Sequence, residues 1–245
     1  MISSFAGSRL FGQRYGDDTP WVLALHGWRR DHRDFDAVFS TGGLDAVALD
    51  LPGFGSAPVP PAAWGSDEYA EAIAPVLEEM QGRVVVIGHS FGGRVAVHLA
   101  AAYPAQIAGL VLSGAPLHRV PGSRVKPSFA YRVARQMASC HLVTQRRMES
   151  IRQRYGSDDY KAATGVMRDV LVRSLGEDYG PVLSAVSCPV ELVWGDNDTA
   201  APLAVAKQLE AELAESHLVV CPGAGHLTPL TAPDELRSAI VRLRP

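Results

Sequence analysis

Six short apolar runs recur along the chain with helical patterns between them, and that alternation leaves few folds open. They are WVLAL (21–25), DAVAL (45–49), VVVIG (84–88), LVLSG (110–114), PVELVWG (189–195) and HLVVC (217–221). Each is too short for a buried helix, and together they read as buried strands of a mostly parallel sheet with helices on both faces. A further strand or hairpin is expected over 8–15. Helices are expected over 66–80, 91–103, 202–213 and near 232–243. Ser66 is the expected N-cap of the first, with Asp67 and Glu68 in the first turn where acidic groups favour the positive helix end. Pro75 inside that helix predicts a kink.

The rhythm stops between 116 and 184. That stretch is helical in pattern, rich in arginine and broken at Pro121-Gly122, Tyr155-Gly156-Ser157 and Gly180-Pro181. It reads as a helical cap (116–184) inserted into an α/β core made of 1–115 and 185–245. Residues 117–184 hold 12 Lys and Arg against 6 Asp and Glu, a local charge of +6 in a chain whose net charge is -3. The outer, solvated face of a lid accounts for such a surplus, and so does steering of anionic substrates. Phe129, Tyr131, Met137, Met148, Tyr155 and Met167 are the candidate substrate contacts there, although helical spacing suits several of them to ordinary core. Elsewhere the composition excludes more than it specifies. An apolar fraction of 47% in 245 residues is that of a globular protein, and the small net charge gives no strong attraction for nucleic acid or an anionic membrane. The N-terminal segment lacks a charged region followed by a long apolar run, and no apolar run approaches the roughly 18 residues that span a bilayer. Three widely spaced cysteines fit neither a disulfide framework nor a zinc site. A cytoplasmic protein without metal or cofactor is expected.

Chemistry concentrates in RVVVIGHSFGGRVAVHLA (83–100), where a strand turns at once into a helix around Ser90. A serine at that place could simply cap the helix. Gly88 and Gly92, two residues to either side, argue instead for a tight elbow that exposes the hydroxyl as a nucleophile. A serine hydroxyl is almost never ionised at neutral pH, so it needs a base. His226, in the Gly-rich loop CPGAGHLTP after the last strand, is the best candidate; His26 closes a strand and reads as scaffold. A carboxylate that fixes the imidazole is expected after the preceding strand, in VWGDNDTAAP. Asp198 is preferred to Asp196, because Asp196 directly follows Gly195 and is placed to make the turn.

The order Ser90, Asp198, His226, together with His26-Gly27, Asp50-Leu-Pro-Gly-Phe-Gly55, Gly88-His-Ser-Phe-Gly-Gly93, Gly195-Asp-Asn-Asp198 and Gly223-Ala-Gly-His226, resembles the α/β-hydrolase superfamily over nearly the whole chain. The resemblance implies a Ser-His-Asp triad and an oxyanion hole made by the backbone N–H groups of Trp28 and Phe91. It supports Asp198 as the acid, since the other position used in the family, after the sixth strand, is Ser113-Gly114 here. The activity implied is hydrolysis of a small carboxylic ester or thioester, the partner being a small acyl substrate. Relatives with the same triad also cleave C–C bonds, act as lyases or transfer acyl groups, and others on this fold are ligand receptors.

Overall fold

The computed structural model describes residues 2–41, 43–118 and 158–245. Eight strands form one sheet: β1 (Ile2–Phe5), β2 (Leu10–Tyr15), β3 (Val22–Leu25), β4 (Ala46–Asp50), β5 (Val84–His89), β6 (Ile107–Ser113), β7 (Val190–Gly195) and β8 (Ser216–Cys221). Their order across the sheet is β1-β2-β4-β3-β5-β6-β7-β8. β1 and β2 form an antiparallel edge, and β3 to β8 run parallel. The helices are α1 (Asp36–Phe39), α2 (Ser66–Ile73), α3 (Pro75–Glu79), α4 (Phe91–Ala102), α5 (Asp158–Ala162), α6 (Gly165–Ser174), α7 (Gly180–Leu183), α8 (Leu203–Glu212), α9 (Thr228–Thr231) and α10 (Pro233–Arg242), with a 3-10 turn at His32–Phe35.

Successive residues of a strand point to opposite faces, and the core divides accordingly. Leu23, Leu25, Leu49, Val86, Leu112 and Trp194 pack on one face with residues of α2, α3, α4 and α8. Val22, Ala24, Ala48, Ile87, Val111 and Val193 pack on the other with Phe35, Phe39, Leu236 and Ile240. Burial on both faces is why β3 to β7 lack polar alternation.

Three local expectations are revised. The helix expected over 66–80 is two helices, because Pro75 begins α3 and supplies no N–H to continue α2. Its N-cap is Gly65, whose N–H donates to Glu68 Oε2 at 2.7 Å. Ser66 is already helical and is held from outside: its N–H and hydroxyl donate to Glu177 at 2.9 and 2.7 Å. The strand β1 was not foreseen as an element of its own. Of the stretch between β6 and β7, the described part consists of α5, α6, α7 and their connections. Arg173 ties it to the core by donating to Ala63 O at 2.8 Å and to both oxygens of Glu68 at 2.7 Å.

Candidate active site

The carboxyl ends of β5, β7 and β8 bring Ser90, Asp198 and His226 together, at the sheet edge where open α/β sheets place their sites. Ser90 sits at φ 52°, ψ −110°, a left-handed conformation rare for a residue with a side chain. The surroundings hold it there. Its N–H donates to Ser113 O at 2.8 Å, and Gly93 N–H reaches back to Ser90 O at 3.1 Å. The two glycines do what a tight elbow requires. A Cβ on Gly92 would collide with the Leu25 carbonyl, and one on Gly88 would stand 2.6 Å from Gly92 O and Gly93 Cα. The start of α4 can therefore press against β3 only without side chains there.

His226 Nδ1–H donates to Asp198 Oδ2 at 2.8 Å, and its Nε2 accepts from the Ser90 hydroxyl at 2.9 Å. The Asp198 side chain is wholly buried. Its other oxygen accepts from the N–H groups of Ala200 and Ala201, both at 2.8 Å, so the carboxylate cannot turn away from the imidazole. Asp196 is different: it accepts from Gly223 N–H at 2.8 Å and makes the turn. Gly114, at φ +55°, completes the relay by omission. A Cβ there would lie 3.0 Å from His226 Nδ1 and 3.2 Å from Asp198 Oδ2, crowding their contact.

Two further histidines approach the relay. His89 stacks obliquely 4.9 Å from His226, centroid to centroid, and donates from Nδ1 to Ser113 O at 3.1 Å. Burial first, then the positive field of His226, pushes its pKa down to about 3. It therefore stays neutral at neutral pH and does not oppose a proton arriving on His226. His26 donates from Nδ1 to Gly27 O at 2.7 Å and accepts at Nε2 from Leu51 N–H at 2.9 Å. Its burial also lowers its pKa. It is thus a strut between the loops after β3 and β4, as its scaffold reading anticipated.

The Gly27 loop lies against the elbow, a Cβ on Gly27 falling 3.3 Å from Ser90 Cβ. Trp28 follows it, and Phe91 gives the first N–H of α4, an orphan donor by position. Neither backbone N–H has an acceptor among the described residues. The two rings meet edge to face at 5.3 Å. Both line a cavity of about 400 Å³ whose wall also contains Ser90, His226, His89, Arg94, Leu171 and Leu175. Of the expected substrate contacts, Phe129, Tyr131, Met137, Met148 and Tyr155 lie outside the described residues. Met167 lies against Gly53 and is not part of this wall. Sequence reasoning missed Arg94, Leu171 and Leu175. The signal for Arg94 was its lone charge in an otherwise apolar stretch of α4.

Among the described residues, one cluster has the donor set of a metal site. Asp31, His32 and Asp50 place one ligand atom each within 4.8 Å of one another. Their atoms are engaged elsewhere, however. Asp50 accepts from His32 N–H, His32 Nδ1–H and Ser56 N–H at 2.7–2.9 Å, and Asp31 pairs with Arg33. The cluster ties the loops after β3 and β4 together.

The chain matches the family model described as "Alpha/beta hydrolase family" over residues 22–239. It belongs to that family. Among relatives of this alpha/beta hydrolase, Esterase Rv0045c of Mycobacterium tuberculosis is 31% identical over 222 residues, which cover 76% of this chain and 72% of that protein. Lipase LipV of the same organism is 43% identical over 117 residues, 46% of this chain; the match spans only 44% of LipV. The fold is shared with a thermophilic esterase from Thermogutta terrifontis, at TM-score 0.69 and 24% identity, covering 96% of this chain and 95% of the other. Among the described residues, no helix of this hydrolase is long and apolar enough to cross a membrane.

Proposed function

We propose that the protein is a serine hydrolase of small carboxylic esters or thioesters. The observation that carries this reading is the unbroken relay from Ser90 Oγ through His226 to a carboxylate anchored by two backbone N–H groups, opening on the cavity. Ser90 Oγ attacks the carbonyl carbon while His226 Nε2 takes its proton. The Trp28 and Phe91 N–H groups hold the oxyanion, each such donor being worth about 3 kcal/mol in the transition state. Collapse of the tetrahedral species expels the alcohol or thiol, which receives the proton from His226, and leaves Ser90 acylated. Water, deprotonated by His226, then attacks the acyl-enzyme; the acid departs and Ser90 regains its proton. Asp198 holds the imidazole with Nδ1 protonated throughout. The esterase and lipase named among the relatives support ester chemistry for this chain.

A fluorophosphonate probe tests the reading. It should label the wild type stoichiometrically and leave Ser90→Ala unlabelled, with ester turnover in that variant lower by on the order of a millionfold. Labelling of Ser90→Ala, or turnover close to wild type in a pure preparation, would reject the nucleophile.

A further inference from the structure

Arg94 is a buried charged residue of the cavity wall that the reaction above leaves unused. It stands one helical turn beyond Ser90, and only 8% of its surface is exposed. Arg94 lines the cavity that contains Ser90. A guanidinium offers several N–H donors in a rigid plane. Among the described residues one is used, Nη1 donating to Ser174 O at 2.6 Å. The Nε–H is sealed from water and meets no acceptor. No described carboxylate oxygen lies within 4.0 Å of its nitrogens as an ion pair, Glu177 being the carboxylate whose charge it feels. Glu177 stands near enough for that interaction, although its oxygens already accept from Ser66 and Tyr179, and the Tyr179 ring lies 5.6 Å from the guanidinium carbon.

The wall also holds a carboxylate, Asp159, which is paired with Arg29 at 3.5 Å. Arg30, the other described cation there, is spent on both oxygens of Asp34. The Trp28 indole N–H, like the Arg94 Nε–H, is buried without an acceptor. The Arg94 Nη2 has no described acceptor and, unlike Nε, is not sealed, so it is the donor that an anion entering the cavity can meet, and its charge is poorly compensated until one does. We propose that Arg94 anchors a carboxylate carried by the substrate, so that the enzyme selects carboxylate-bearing esters over neutral ones of the same shape. The proposal rests on the serine hydrolase reading. The competing role is purely structural: Arg94 also meets the last carbonyl of α6, where a cation stabilises the negative helix end. That role predicts equal losses on charged and neutral substrates.

The test compares kcat/KM for two matched pairs. One carries the carboxylate on the acyl side, 4-nitrophenyl monoglutarate against 4-nitrophenyl pentanoate. The other carries it on the leaving group, 3-carboxyphenyl pentanoate against phenyl pentanoate. The wild type should favour the charged member of one pair by about tenfold or more, and the responding pair tells which side Arg94 reads. Arg94→Gln should erase most of that preference, chiefly through KM, because a charge-assisted contact is lost. Arg94→Lys, which can keep the Ser174 contact, should lose about threefold or more of the preference even where Arg94→Gln does not fold. A wild-type ratio near one in both pairs, or an unchanged ratio in either folded variant, overturns the anchor. If Ser90 is labelled by fluorophosphonate while the ratios are flat, only the anchor fails. Absence of both labelling and hydrolysis defeats the hydrolase reading and the anchor with it.

Discussion

Asp196 and Asp198 stand two residues apart in one turn, yet their environments assign them different work. Asp198 is buried, faces His226 and is held by two N–H groups, whereas Asp196 is exposed and braces Gly223. Asp198→Asn should lower kcat by on the order of ten thousandfold, because an amide can present its NH2 to the imidazole and favour the wrong tautomer. Asp196→Asn should stay within a few-fold of wild type. Steady-state kinetics on a neutral ester checks both, and reversed losses would move the acid to Asp196. His89 gives a second prediction, on stability. Its folded pKa, pushed down to about 3 by burial, lies below the unfolded value of 6.5. Above pH 6.5 both states are neutral and the group contributes nothing to the pH dependence. Below it the unfolded chain binds a proton that the folded chain refuses, so stability falls progressively toward pH 3. His26, shifted in the same direction, adds to the slope. His89→Asn can keep a donor toward Ser113, and its Tm should fall less than the wild type's between pH 7 and pH 4.5. Equal falls would remove His89 from the acid response. That Ser90, Asp198 and His226 meet was legible in the sequence because each follows a strand in a recognisable loop. Gly114 and Arg94 were not, since their meaning comes from contacts across the fold: Gly114 lies against His226, and Arg94 meets Ser174, 80 residues on.

Strands that are buried on both faces announce themselves as unbroken apolar runs, so β3 to β7 fall within a few residues of their expected places. β1 does not, because ISSF is half-exposed at the sheet edge and its pairing with β2 depends on a turn through Ala6, Gly7 and Ser8, all at positive φ. Helix α2 shows a subtler limit. Its sequence suggests a self-capped start at Ser66, but the capping groups are Glu68 and, from the far side of the insertion, Glu177. A partner 111 residues away cannot be read from local pattern. Glu177→Ala should therefore destabilise the protein by about 1–2 kcal/mol, as loss of a cap does, lowering Tm by roughly 2–8 °C. Calorimetry would check it, and an unchanged Tm would mean that water replaces the carboxylate at no cost.

Charge across the whole molecule is uneven: +6 over residues 117–184 leaves -9 for the remainder. Residues 119–157, which carry most of the basic groups, lie outside the described residues. If the surplus steers anions, kcat/KM for a carboxylated ester should fall steeply with salt while that of a neutral partner changes little. Changing Arg146 and Arg147 together to Gln should flatten the response. Equal salt dependence for the two esters would leave the charge as surface solvation. The distribution of the relay along the chain carries a consequence of another kind. Ser90 and His226 are 136 residues apart in sequence, with Asp198 between them. During synthesis, at roughly 5–20 residues per second, on the order of ten seconds separate the emergence of the serine from that of its base. On the proposed mechanism, a nascent chain can thus complete its elbow while the hydroxyl still lacks its base, and the reactive group is armed only when the last strand docks.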